Sequence, residues 1–301
     1  MAVLAPLAMV LSARPDMLWA LSGQRIGTSM TARLRIRRSR LARLSRWLGI
    51  LAVPILVITG LAHRAGVMDP IAALMGIGVG SIFGFFAVLF AVTALGVIWY
   101  RGHLGTGDAF RGLIGGALAL IPMGFVVWGI LQFPQINDIT TDIDNPPRFT
   151  GTVRSGWGVN GPAPPERDVR ERQRAAYPDI VPRRFPLEPS QMFEAAKRAV
   201  AGLGWQMVSE MPPVEPFNEG HLQAIDRTLL FALPDDVAIR ILPDDYGARL
   251  DVRSASRYGR HDIGTNARRI REFFAALDDA VLEVAAEAAG EEGEGDQPAS
   301  E

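Results

Sequence analysis

Two clusters of residues in the C-terminal half of this chain could do chemistry. In the first, Ser256, Arg257, Arg260, Gly264 and Asn266 crowd into the stretch LDVRSASRYGRHDIGTNARRIR, Leu250 to Arg271. Hydroxyl, guanidinium and amide donors near a helix start suit a negatively charged ligand, because unpaired N–H groups and the helix dipole favour negative charge there. The implied ligand is a phosphate or carboxylate of a lipid head, a sugar or a peptide. The competing arrangement lets Asp262 cap Thr265 and Asn266 from within and spends the arginines on internal acids. In the second cluster, Asp235 and Asp236 beside Arg253 could serve a hydrolase or transferase as an acid and base pair. Adjacent strand residues point to opposite faces, however, so two neighbouring carboxylates seldom share one substrate. The simpler expectation is a turn entering a strand whose Asp236 meets Arg253 or Arg240, whereas an active site there needs an open, ligand-sized cleft.

Other chemistries lack their residues. The chain has no cysteine, which removes disulfides, zinc thiolate sites and cysteine nucleophiles. His63, His103, His221 and His261 stand apart from a second ligand type at metal spacing, so no metal is expected. No G-x-S-x-G turn or phosphate loop occurs in the polar half, and no cofactor is expected. Residues 134–282 carry 19 basic and 22 acidic residues, a net charge of −3, so no bulk field draws nucleic acid to them.

The elements that must position these clusters fall into four parts. Residues 1–46 carry nine Arg against Asp16 alone, a net +8, with seven of the nine between Arg33 and Arg46. An apolar run from Met1 to Leu11 lacks the positive flank of a signal peptide, and Met30 is an alternative start. Residues 47–133 hold three apolar stretches read as membrane helices: Trp47–Ala62 with Pro54 inside, Ile71–Tyr100, and Leu113–Phe133 with Pro122. None contains a charged residue, so the signals of an ion pathway or proton relay are missing. Gly76, Gly80 and Gly84 recur every fourth residue on the second stretch and predict a packing seam against another span, or self-association in a homodimer. The positive-inside rule leaves the Arg-rich segment in the cytoplasm. Three crossings then put residues 134–282 outside, in the periplasm of a Gram-negative cell.

Within residues 134–282 the expected order is an extended segment Ile136–Phe149, then a Gly-, Pro- and Arg-rich loop or strap to about residue 184. A helix from Ser190 to Leu203 follows, with Met192, Ala196, Ala199, Val200 and Leu203 on one face. A short strand at Trp205 and Val208 precedes strands Leu222–Thr228, Val237–Leu242 and Arg249–Ser256. The turn PDDYG joins the last two into an antiparallel hairpin. Val237, Ile239, Ile241, Leu250 and Val252 lie on its apolar face, and Arg240, Arg249, Asp251 and Arg253 on its outward, charged face. The helix Thr265–Leu282 presents Ile270, Phe273, Phe274, Leu277 and Val281 to the apolar face. Residues 283–301, with seven acids and no base, are expected to be an unfolded acidic tail.

PDDVAIRI (Pro234–Ile241) and RLDVRSASRYGRHDIGTNARRI (Arg249–Ile270) resemble the hallmark motifs of the uncharacterised bacterial family known as domain of unknown function 1499. DITTD (Asp138–Asp142), PPRF (Pro146–Phe149), YPDI (Tyr177–Ile180) and Gly204-Trp205 follow the same family order, over roughly Ile136 to Leu277. The resemblance implies that the proline-rich strap belongs to the domain. It also marks one departure, Gln223 in HLQAIDRT, where the family usually carries an acid whose role would be lost here. The family has no settled activity, so it supplies boundaries and no mechanism.

The sequence therefore predicts an α+β protein: three transmembrane helices, then a small antiparallel-sheet domain with two packed helices. It would act in the bacterial inner membrane as an interaction or ligand-binding module. Its expected partners are membrane lipid, an anionic small molecule or an envelope protein. The alternatives are the hydrolase or transferase above and an accessory subunit of a membrane complex.

Overall fold

A computed structural model of the chain describes residues 37–150, 158–215, 218–228 and 231–295. Both candidate starts, the apolar run Met1–Leu11 and the last six residues of the acidic segment lie outside that set.

Among the described residues three helices come first, each long and apolar enough to cross a bilayer: α1 (Arg40–Arg64), α2 (Pro70–Arg101) and α3 (Thr106–Gln132). Two begin at side-chain caps. Ser39 Oγ accepts from the Ala42 amide, and the Asp69 carboxylate accepts from Ile71 and Ala72 with Pro70 in the first turn. The first helix is longer than the expected Trp47–Ala62. Arginine is a good helix former, so the helix takes in Arg40, Arg43 and Arg46, and Arg46 is paired with Asp108 of α3 at 3.0 Å.

The glycine stripe on α2 is a seam within the chain. A methyl group on Gly76 would lie 2.5 Å from Thr59, on Gly80 2.7 Å from Leu56, and on Gly84 3.0 Å from Ala119. Gly49 of α1 meets Gly112 of α3 in the same way. Only residues without side chains let the backbones approach so closely. The stripe is thus spent on α1 and α3 and is not the exposed face that a homodimer would need.

The rest of the chain is one antiparallel sheet with helices on one side and a strap on the other. Its strands are β1 (Asp138–Thr140), β2 (Arg183–Phe185), β3 (Gln206–Met211), β4 (Gly220–Arg227), β5 (Pro234–Asp244) and β6 (Gly247–Ser256). The spatial order is β1-β6-β5-β4-β3, and β2 shares with β1 the free edge of β6. The hairpin expected around PDDYG forms with Asp244 opposite Gly247 and Val237 opposite Ser254. On its apolar face Val237, Ile239, Ile241, Leu250 and Val252 are completely buried. The helices α5 (Pro189–Gly202) and α6 (Thr265–Gly295) cover that face. They contribute Met192, Ala196, Ala199 and Val200, and Ile270, Phe273, Phe274 and Leu277, and Phe273 stacks on Trp205 with ring centres 5.8 Å apart.

Three readings are corrected here. The strap contains a helix, α4 (Arg167–Ala176), in which Val169 packs against the core and the one buried residue is polar. Gln173, buried beneath it, donates to Thr140 O at 2.6 Å and accepts from Thr140 N at 3.2 Å, so α4 is tied to β1 like an extra rung. The last helix does not stop at Leu282 but continues to Gly295. EVAAEAA is rich in strong helix formers, Val284 reaches the core, and Glu287 makes two hydrogen bonds to Arg198 of α5. Finally, the outward face of the hairpin is not solvated: Asp236 is 0 %, Arg240 6 %, Asp251 0 % and Arg253 1 % exposed. Described parts of the strap lie against it, with Pro162 and Ala163 accepting from Arg253.

Candidate functional site

The charged face of the sheet is built from pairs that join motifs far apart in sequence. Arg253 of β6 forks onto Asp138 of β1 (Nε to Oδ1 3.0 Å, Nη2 to Oδ2 2.6 Å). It also donates to the Pro147 and Ala163 carbonyls of the strap, and its guanidinium lies 4.5 Å from the Phe149 ring centre. Arg240 of β5 donates to Asp251 of β6 at 2.7 Å and to Asp142 at 3.1 Å. Arg249 reaches the same two acids. Burial pushes the Asp142 carboxyl up, but the Asn145 amide and the guanidinium groups of Arg249 and Arg240 outweigh it, and its pKa lies below the usual carboxylate range. Gln223, where the family usually has an acid, accepts from the Thr150 amide at 2.7 Å. The residue thus keeps a strap-holding contact that a neutral side chain can make.

Asp235 and Asp236 sit on opposite faces of β5, as alternation requires. Asp236 receives two hydrogen bonds from Arg257, at 2.9 and 2.7 Å. Its partner is therefore neither Arg253 nor Arg240, because those are taken by Asp138, Asp142 and Asp251. Asp235, on the helix side, is bonded to Arg269 of α6 at 2.8 Å, and Arg269 also binds Asp226 of β4 at 2.7 Å. Asp235 is 3 % exposed, and with Asp236 and Arg253 it forms no common open cleft.

Of the five residues with anion-binding types, the structure brings Ser256, Gly264 and Asn266 together but uses them structurally. Asn266 is wholly buried; its amide donates to Ser256 Oγ and to Asn137 O, and its carbonyl accepts from Ser254 and Arg269. Asp262 fills the helix start, accepting from the Gly264 amide at 3.0 Å and the Asn266 amide at 2.7 Å. Burial pushes this carboxyl above its ordinary range even though those amides pull it down. Arg257 is bound to Asp236. Arg260 differs: it is exposed, and among the described residues it makes no ion pair or hydrogen bond. It stands with Ser256 and Asn160 beside a polar cleft of about 500 Å³ between the strap and the ends of β1 and β6, whose wall also holds Glu166, Asp138 bound to Arg253, and Asp168 bound to Arg172.

The loop between β6 and α6 also grips the apolar helices. Ile263 has φ of 51° and Gly264 of 79°, a left-handed pair that is costly for a β-branched residue. The turn plants Ile263 against Gly129 of α3, where a methyl would come within 2.6 Å, and seats Phe133 against Gly264. His261 faces the Phe133 carbonyl at 3.1 Å, and the Asp262 amide donates to Ile136 O. Below this junction lies a second, mainly apolar cavity of about 600 Å³.

Sequence reasoning missed Asp138, Asp142, Arg249, Asp251 and Arg269 as partners. The only signal was charge of opposite sign in separate motifs, DITTD and RLDVR, which does not say who meets whom. Among the described residues no three His, Asp or Glu side chains gather as a metal site. No curated protein and no solved structure matches the chain. Residues 138–277, a little under half of the chain, match the family model described as "Protein of unknown function (DUF1499)", so this domain is similar to that family.

Proposed function

We propose that this is a bacterial inner-membrane protein whose three apolar helices hold the DUF1499 domain outside the membrane as a binding module for a small anionic ligand. The observation that carries the reading is the contrast between Arg260 and the buried and half-buried arginines around it. Arg257, Arg253, Arg240 and Arg269 each face an internal carboxylate, whereas Arg260 stands without one beside the polar cleft. A guanidinium with no internal partner keeps its donors for a phosphate or carboxylate from solution. An acid and base pair at Asp235 and Asp236 is less well supported, because each carboxylate is committed to an arginine on a different face.

The orientation rests on the arginine excess before the first helix. A reporter fused after Glu301 tests it; activity confined to the cytoplasm would reverse the topology. Binding is tested by titrating glycerol phosphate into the detergent-solubilised full chain, with Arg260→Ala beside it. Saturable binding that the substitution weakens about tenfold or more supports the site, a charge-assisted hydrogen bond being worth roughly 1.5–3 kcal/mol. No saturable binding, or binding indifferent to Arg260, removes it.

A further inference from the structure

The cavity between α3 and the domain is continuous with the membrane-facing surface of α3. We infer that it is a seat for an anionic phospholipid drawn sideways from the bilayer. The apolar wall comes from Pro122, Phe125 and Trp128 on α3, with Phe231 and Leu233 from the loop before β5. Pro122 lies ten residues before the end of α3 at Gln132, about 15 Å along the helix axis. The cavity therefore follows α3, a helix long and apolar enough to cross a bilayer, away from the domain. Phe125 and Trp128 are 62 % and 58 % exposed, so nothing from the described residues seals that wall off from lipid.

The opposite end is polar and cationic. Thr265, Arg268 and Arg271 line it. Arg271 is held by Asp179 and Arg268 only by Glu272 one turn further on, at 3.5 Å with both side chains more than half exposed. An exposed pair of that kind holds its arginine weakly. The two carboxylates in the wall are not available to repel an anion fully, because Asp235 is bonded to Arg269 and Asp262 accepts the first amides of α6. An apolar slot open to acyl chains with a guanidinium at its domain end matches an anionic phospholipid, with tails beside Phe125 and Trp128 and phosphate at Arg268. The volume, about 600 Å³, lies within the range of specific ligand sites, roughly 300–1,000 Å³. This seat does not depend on Arg260, which is outside the cavity.

The test uses the full chain in nanodiscs of phosphatidylcholine containing a minor fraction of phosphatidylglycerol, with retained lipid counted by native mass spectrometry. The wild type is expected to keep phosphatidylglycerol above its share of the bilayer. Val126→Trp fills the cavity from α3 and Leu233→Trp fills it from the domain; either should return retention to the bulk share. Val127→Trp, on the neighbouring face of the same helix, should leave it intact. Arg268→Gln should keep a lipid but lower the preference for phosphatidylglycerol about fivefold, the effect of one cation beside an anionic surface. Retention at the bulk share in the wild type overturns the inference. So does retention unchanged by both tryptophans, or displacement of the lipid by soluble glycerol phosphate.

Discussion

The two faces of the central sheet are equally dry and are held by different physics. On the helix side, Val237, Ile239, Ile241, Leu250 and Val252 meet Phe273, Leu277 and Met192, and the stabilisation is area removed from water, with no demand on direction. On the strap side, Arg240 binds Asp251 and Asp142, and Arg253 binds Asp138 and the Pro147 carbonyl. There the desolvation of each charge must be offset by partners at the right place. The first face accepts many apolar side chains of similar volume. The second accepts few, which explains why the recognisable motifs of this domain are the charged ones. It also explains how a proline-rich strap without periodic apolar residues stays on the sheet: it supplies the Pro162 and Ala163 carbonyls to Arg253, while the segment before it supplies Asp138 and Asp142.

Breaking one partner should separate the faces most clearly. Arg253→Met leaves Asp138 facing the interior without its guanidinium, with an expected loss of about 3–5 kcal/mol in denaturant melts of the solubilised chain. Adding Asp138→Leu should recover part of that loss, since an apolar pair replaces a buried ion pair at little net cost. If the double variant is no more stable than the single, the strap is held by something other than this pair. A change of comparable volume on the other face, Ile239→Val, should cost only about 0.5–1.5 kcal/mol in the same melts.

Acid titration probes the strap side through Asp142, whose partners Arg249 and Arg240 belong to the charged face. The folded pKa of Asp142 is depressed, so between that value and the ordinary Asp value near 3.9 the unfolded chain binds more protons. Stability from this group is therefore present above about pH 4 and lost as the pH falls through the folded pKa. Asp142→Asn should lower the neutral plateau and flatten that acid limb in melting temperature measured against pH. An unchanged limb would assign the acid sensitivity to other carboxylates.

The smallest effect is expected at Tyr177, where the apolar side has a loose polar end. Its hydroxyl is buried, has no hydrogen-bond partner among the described residues, and is pushed up to about 12, first by burial and then by the charge of Asp262. Tyr177→Phe should be neutral or stabilise by on the order of 1 kcal/mol. A clear loss of melting temperature would mean that a water or ligand completes the hydroxyl.

Much of this fold is written in local pattern. Alternation set the hairpin and its apolar face, helical periodicity set α5 and the docking face of α6, and runs of apolar residues set the three long helices. Each is a short-range rule with a fixed period, so a stretch of residues is enough to reveal it. The motifs likewise marked the domain from Ile136 to Leu277, close to the matched 138–277. The helix α4 escaped because its anchor is one amide, Gln173, meeting a strand thirty-three residues earlier, and no periodicity announces such a contact.

The site divides along the same line. Types and spacing showed that Ser256, Arg257, Arg260, Gly264 and Asn266 were concentrated at a strand, turn and helix start. Only the tertiary structure decided that Arg257 closes on Asp236 and that Asp262 takes the helix amides, while Arg260 is left over. The same holds for Ile263, whose left-handed turn means nothing until Gly129 of the third helix is found beneath it. Charge and hydrogen-bonding capacity belong to a residue and can be read from the sequence. Which partner consumes them depends on where the folded chain puts the other half of each pair, and that is set by tertiary contacts no local pattern announces.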